Sequence, residues 1–370
     1  MHFTESDLKE RYLEKLLSSA KATAAEPKVI RWLSQMGRGA TEAHVKDFLG
    51  SIATNKMIKF QERAMREYAV EWGNVSTAHK EFGLYKTIAE FMGPQEGLGV
   101  DFGCGVGHLI AEIQKLNKTP MLGIDLNSYT LQLAEQLLKS EDHDVTRMSD
   151  SHISFDPMKG FVLRPVPYSL DTPVDLSGIN LLCEDFADMK NTTRVLYNQG
   201  RKADFATFTL SGGKETYDSG NFLRVLTPEL DDIHSKKSPH YFMDTIINNL
   251  YRVCHYGAKV YFAIRFQALA SDGGEIVEVG ETSNDSNLVL LEEVEKFHRN
   301  HFHDRYNGKL ELLKFGITEM LDETGFDGIG LNKGIIGSIT SDASGGDLDE
   351  QVVKFDQYKV VLIEARVLGK

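Results

Sequence analysis

The sequence predicts an α/β protein: a seven-stranded, mostly parallel, doubly wound sheet that ends in a C-terminal antiparallel hairpin and is preceded by an N-terminal helical cap. Three observations predict it. From residue 98 onward, short apolar runs alternate with segments of helical period, the pattern of parallel strands joined by crossover helices. The last two apolar runs are separated only by a Gly-, Ser- and Asp-rich stretch at 341–351, so they should pair antiparallel. Before residue 90 the apolar residues recur at helical spacing instead.

The elements follow in order. Leu8, Tyr12 and Leu16 form one helical stripe, Val45, Phe48, Leu49 and Ile52 a second, and Phe60, Ala64, Tyr68 and Trp72 a third. Thr4 or Ser6, and later Thr41, suit helix N-caps, while Pro27, Gly37 and Gly39 punctuate the segments. Such stripes ordinarily bury against one another; the alternative is a cap that turns Trp72, His79 or Tyr85 toward a substrate. Strands are expected at 98–102, 121–125, 180–185, 204–210, 259–266, 334–340 and 358–367. Helices are expected at 108–116, 129–139, 239–255 and 310–324. Ser238 and Pro239 supply an N-cap and a first-turn proline, and Gly257 is read as the close of that helix. Two long stretches, about 140–178 with four of the nine prolines and 271–287, acidic and Gly/Ser-rich, fit no regular element and read as lids or binding loops. The chain therefore divides into residues 1–90, a helical cap serving substrate binding or dimerisation, and residues 91–370, the main domain with those two insertions.

Composition narrows the function classes. The 370 residues are 41% hydrophobic and 26% charged, which is globular usage and ample for a core without disulfides. The formal charge is -13, with residues 1–90 close to balance and the deficit in the remainder. A surface of that sign repels phosphate backbones, which argues against a nucleic-acid partner. Cys104, Cys183 and Cys254 have no CxxC spacing, so neither a disulfide framework nor a structural zinc site is expected. The N-terminus lacks an apolar leader, and no apolar run approaches the ~18 residues of a membrane span. A soluble, cytoplasmic protein is the expectation.

The informative stretch is Val100-Asp101-Phe102-Gly103-Cys104-Gly105-Val106-Gly107-His108. It follows an apolar strand and opens a helix, where a glycine turn brings backbone N–H groups and the helix N-terminus close to a ligand. A dinucleotide fingerprint, G-x-G-x-x-G, would need glycine at position 108, which is histidine here. The pattern is instead G-x-G-x-G with an acid two residues ahead. It resembles motif I of the class I, Rossmann-like S-adenosylmethionine-dependent methyltransferases. The second strand ends in Gly123-Ile124-Asp125-Leu126-Asn127, with Asp125 24 residues after Asp101, where a carboxylate can accept two ribose hydroxyls. The third ends in Cys183-Glu184-Asp185-Phe186, and the fourth in Phe208-Thr209-Leu210. The stretch Ile317-Thr318-Glu319-Met320-Leu321-Asp322-Glu323-Thr324-Gly325-Phe326 looks like the family's penultimate helix-to-strand unit, and the final hairpin is similar to its antiparallel last strand.

The resemblance covers about residues 80–370. It implies an enzyme that binds S-adenosyl-L-methionine through Asp101, Gly103, Cys104, Gly105, Gly107, Asp125, Leu126, Asp185, Phe186 and Thr209. In that family an acid after the third strand holds the adenine amino group beside an apolar residue on the ring. The transferable methyl lies at the end of the fourth strand. The stretch Ser211-Gly212-Gly213-Lys214-Glu215-Thr216-Tyr217 lacks the [DNS]-PP-[YFW] motif of enzymes that methylate DNA adenine or protein glutamine. The expected reaction is therefore methyl transfer to a small-molecule acceptor, with Tyr217 and His240 as the catalytic candidates and the N-terminal helices available for homo-oligomerisation. Three alternatives stay open: methylation of a protein or RNA, a catalytically silent cofactor-binding partner subunit, and aminopropyl or aminocarboxypropyl transfer from the same cofactor. His298, His301 and His303, beside Asp304, suit either a solvated face, metal ligation or substrate binding; no metal is expected there.

Overall fold

The computed structural model describes residues 56–156, 160–169, 175–185, 188–209, 241–271, 274–279, 287–290, 293, 295–296, 299–300, 308–322 and 357–369. The helical stripes expected before residue 56, the strand at 334–340 and the stretch at 341–351 lie outside them.

Among the described residues two helices come first, α1 (Lys56–Glu81) and α2 (Leu84–Met92), parted at Gly83 in the left-handed region (φ +78°). Then follow β1 (Gly99–Phe102), α3 (His108–Leu116), β2 (Met121–Asp125), α4 (Ser128–Ser140), β3 (Val145–Arg147), β4 (Ser151–Asp156), β5 (Gly160–Pro165), β6 (Ile179–Cys183), α5 (Lys190–Asn198) and β7 (Ala203–Thr209). The chain ends with α6 (Tyr241–Val253), β8 (Cys254–Ser271), β9 (Gly274–Val279), β10 (Asn287–Leu290), β11 (Leu310–Asp322) and β12 (Gln357–Val367).

Ten strands form one sheet. Its parallel part runs β3-β6-β2-β1-β7-β8. The chain leaves β1 for β2 on one side and returns for β7 on the other, so the connections reverse beside β1, where doubly wound sheets open a crevice. β12 then pairs antiparallel with β8, and β11 antiparallel with β12. Both faces are covered. Leu84, Ile88, Leu109, Ile113, Leu131 and Leu138 of α2, α3 and α4 bury on one face, and Val195, Leu196, Ile247 and Leu250 of α5 and α6 on the other. Burial on two sides explains why every position of β1 and β6 is buried and why both are mainly apolar rather than alternating, with Asp101 and Asn180 the polar exceptions. Phe102, Phe208 and Phe262 stack across three adjacent strands, with ring centroids 4.3 and 5.4 Å apart.

The structure corrects several local expectations. The segment expected as a helix at 310–324 is strand β11. Its Leu, Glu, Lys and Met residues favour a helix, but eleven backbone pairs to β12 override that preference. Register shifts at Leu312/Lys314 and Glu319/Leu321 interrupt the alternation that would have marked a strand. The last strand thus lies between β8 and β11. The antiparallel close of the sheet stands. The stretch at 140–178 is not structureless, since it holds β3 and the β4–β5 hairpin, a separate two-stranded sheet. Within 271–287, β9 continues from the far end of β8. The α6 helix stops at Val253, and Gly257 (φ +89°) lies in the register shift where β8 joins β7.

Gly123 in β2 illustrates how tightly α3 seats on the sheet. A Cβ there would stand 2.8 Å from Ile110 Cδ1 and 2.9 Å from Leu181 Cδ2. Gly123→Val should therefore destabilise the protein by about 1–3 kcal/mol through overpacking. A lower urea midpoint with an unchanged slope is the expected result; an unchanged midpoint contradicts it.

Candidate functional site

The β1 strand leaves the sheet through three left-handed glycines, Gly103 (φ +70°), Gly105 (φ +53°) and Gly107 (φ +83°), before α3 begins at His108. Residues with a Cβ adopt this conformation only with strain, so the turn explains the glycine spacing. It is fastened at both ends: the Cys104 N–H donates to the Ile124 carbonyl at 2.9 Å, and the Gly107 N–H to the Cys104 carbonyl at 2.9 Å.

Two carboxylates lie against this turn. Asp101 is 1% exposed and accepts the Thr207 hydroxyl of β7 at 2.6 Å. Burial lifts its carboxyl to about 7, against the pull of the Thr207 bond, and the charge of Asp125 adds to the rise. Asp125 ends β2. Its Oδ2 accepts the Gly105 N–H at 3.2 Å and its Oδ1 accepts the Asn127 N–H at 2.8 Å. Burial raises this carboxyl to about 6, although those backbone donors oppose it. The carboxyl is only half-buried at the end of β2, so a ligand's donor can still reach it.

The neighbouring strand end is built differently from the expectation. β6 stops at Cys183, which is in register with Asp125. The next residue, Glu184, is 1% exposed and accepts the Thr192 N–H at 2.9 Å in the first turn of α5. It anchors a helix N-terminus, where a negative charge is favourable. Burial nevertheless lifts it to about 7. Asp185 follows, half-buried, with its carbonyl accepting the N–H groups of Asp188 and Met189. The Leu126 carbonyl accepts the Cys183 thiol at 3.1 Å. Cys104 and Cys183 are buried, and burial pushes both thiols well up, which makes them packing groups rather than nucleophiles.

Helix α1 crosses this ledge. The Trp72 indole Nε1 stands 3.1 Å from where a Gly105 Cβ would be, so a larger residue there would crowd the ring. Gly73 meets Val106 and Leu133, and the Asn127 side chain donates to the Met65 carbonyl at 3.0 Å. Tyr85 and His79, which only the alternative reading turned toward a substrate, are buried as the packing reading expects, their rings edge-on at 6.4 Å. The Tyr85 hydroxyl bonds Ser76 at 2.7 Å, and burial pushes it up to about 12. Burial and then the Lys80 charge lower His108 to about 4, so it is neutral near pH 7.

Of the residues expected to bind a cofactor, Asp101, Gly103, Cys104, Gly105, Gly107, Asp125 and Leu126 come together at the ends of β1 and β2. Thr209 ends the adjacent β7, and Asp185 follows β6. Phe186, Tyr217, His240, His298, His301 and His303 lie outside the described residues. Among those described, no group of three His, Cys, Asp or Glu residues could hold a metal, and no helix is long and apolar enough to cross a membrane. Thr207, Glu184 and Asn127 were not singled out from sequence. Thr207 and Glu184 carry weak signals, a hydroxyl within an apolar strand and an acid just before a helix.

No family model matches the chain, and no curated protein matches it. Solved structures do. One is the Haemonchus contortus phosphoethanolamine N-methyltransferase 2, with phosphomonomethylethanolamine and S-adenosylhomocysteine: 11% identity over 78% of this chain and 53% of that one, TM-score 0.35. The chain spans about half the length of that enzyme. Another is an S-adenosylmethionine-dependent methyltransferase from Clostridium acetobutylicum (12% identity, 81% and 92% covered, TM-score 0.31). A third is the glycopeptide N-methyltransferase MtfA with S-adenosylmethionine (10% identity, 78% and 94% covered, TM-score 0.34). At such scores the likenesses carry no argument about activity, cofactor or acceptor.

The Asp101 carboxyl yields a pH test. An ordinary aspartate titrates near 3.9, so between about 4 and 7 the folded state holds a proton that the unfolded chain releases. Stability from this group is therefore lost as pH rises through that window. Asp101→Asn keeps an acceptor for Thr207 and removes the buried charge. Without any cofactor, its melting temperature relative to wild type should rise by a few degrees between pH 5 and pH 8. An equal difference at both pH values contradicts the assignment.

Proposed function

We propose that this ledge binds S-adenosyl-L-methionine and that the protein transfers its methyl group to a small-molecule acceptor. The observation that carries the reading is the joining of two strand-end acids, Asp101 and Asp125, beneath a turn of three left-handed glycines at the point where the sheet's connections reverse. The turn brings backbone N–H groups close to a ligand, and the half-buried Asp125 carboxyl presents an acceptor to its sugar. Charge separates the candidates. A pyrophosphate would meet two carboxylates at the turn, and Lys80, the cation facing His108, is already paired with Glu141 at 2.8 Å. A sulfonium with an amino group would instead offset the acids.

The cofactor, when bound, supplies an electrophilic methyl on a positively charged sulfur. The chain's part is then to bind, orient and exclude water. Asp125 fixes the sugar, and the glycine turn and α3 N-terminus receive the amino-acid end. Asp185 would serve the adenine side, and Thr209, at the end of β7, lies nearest the acceptor side. Tyr217 and His240 follow β7 in the chain and remain the candidates for deprotonating an acceptor. The net charge of -13 and the lid formed by α1 favour a small or cationic acceptor over a polyanion.

Isothermal titration with S-adenosylhomocysteine tests the reading. Asp125→Ala should weaken binding by about 1–3 kcal/mol, the loss of charge-assisted hydrogen bonds. Because Asp125 titrates at about 6, wild-type affinity should fall severalfold from pH 7.5 to pH 5 as the carboxylate gains a proton. Wild-type affinity matched by the variant, and flat with pH, would remove Asp125 from the site.

A further inference from the structure

Asn127 makes three connections that the cofactor reading does not use. Its backbone N–H donates to Asp125 Oδ1 at 2.8 Å. Its side-chain Oδ1 accepts the Tyr129 N–H at 3.1 Å and so caps α4. Its Nδ2 donates to the Met65 carbonyl of α1 at 3.0 Å, across 62 positions of sequence. The residue is 6% exposed. A helix cap needs only the side-chain oxygen. The amide nitrogen reaches out of its own element to hold another.

That other element is the one lying over the ledge. α1 meets the glycine turn through Trp72 at Gly105 and through Gly73 at Val106, and meets the β2 turn through Met65 at Asn127. Both turns that would grip the cofactor are therefore covered by one helix, and the bond at the β2 turn runs through the residue whose N–H orients Asp125. We propose that Asn127 is a positioning residue that couples the docking of α1 to the orientation of Asp125, so that the helix closes over a sugar held by that carboxylate and retards its release. This deepens the cofactor reading and rests on it.

When α1 lifts, the Asn127–Met65 bond breaks and the Asn127 side chain is held only by the α4 cap. The turn that presents Asp125 then loses one of its two fixed ends. When α1 docks, the amide is held from both sides, and the N–H aimed at Asp125 is fixed with it. The bond is buried and neutral at both ends, so its effect should persist at high salt.

Asn127→Ser separates the roles. Serine retains an oxygen that can cap α4 and the backbone N–H to Asp125, but its side chain is too short to reach Met65. Asn127→Ala removes the cap as well. Two readouts are needed on the full chain: hydrogen exchange of the α1 amides without ligand, and the rate of S-adenosylhomocysteine release by stopped flow. For Asn127→Ser the expected result is faster exchange in α1 and release accelerated about three- to tenfold, the equivalent of one buried hydrogen bond, with little change in melting temperature. Asn127→Ala should show the same acceleration together with a lower melting temperature. Unchanged release in Asn127→Ser overturns the coupling, whether or not α1 exchange rises, and leaves Asn127 a helix cap. Should wild-type protein fail to bind S-adenosylhomocysteine at all, the cofactor reading falls, and the coupling to a held sugar falls with it. A wild type that binds while Asn127→Ser behaves identically overturns only the coupling.

Discussion

The Asp125 carboxylate bridges the turn after β1 and the turn after β2. One oxygen holds the Gly105 N–H of the turn after β1, the other the Asn127 N–H of the turn after β2. Those turns launch α3 and α4, which form much of one covered face of the sheet. A displaced carboxylate would remove one tie from each helix start, beside the Cys104–Ile124 bond and the Asn127 cap of α4. The carboxylate thus has a structural task even where burial raises it to about 6.

Asp125 is not alone in this strain. Asp101 and Glu184, both raised to about 7 chiefly by burial, sit at neighbouring strand ends. Three acids gathered where burial disfavours their charge is a costly arrangement for a protein without ligand. The Thr207 hydroxyl and the first-turn N–H groups of α5 offset part of it. A cationic ligand would offset more, and a ligand that binds only the folded state stabilises that state.

The parts legible in the sequence are the local ones. The glycine turn, the span of α3 and the span of β2 follow from residues adjacent in the chain, where apolar runs and left-handed positions leave direct marks. β11 was read as a helix because its register shifts disguise its alternation, and only pairing with β12 makes it a strand. The site divides in the same way. Asp101, Gly105 and Asp125 stand out by spacing, whereas Thr207 and Asn127 matter through partners 106 and 62 positions away. Glu184 and Asp185 are adjacent acids that spacing cannot tell apart; the fold buries one on a helix N-terminus and leaves the other half-buried. Nothing in a strand's own sequence names the neighbour it will face.

The most direct test of the account is a crystal structure of the protein with S-adenosylhomocysteine. It should show the sugar hydroxyls on Asp125, the amino-acid end along Gly103, Gly105 and Gly107, and α1 above them. A ligand lodged elsewhere, or a pyrophosphate compound occupying the glycine turn in its place, would contradict it.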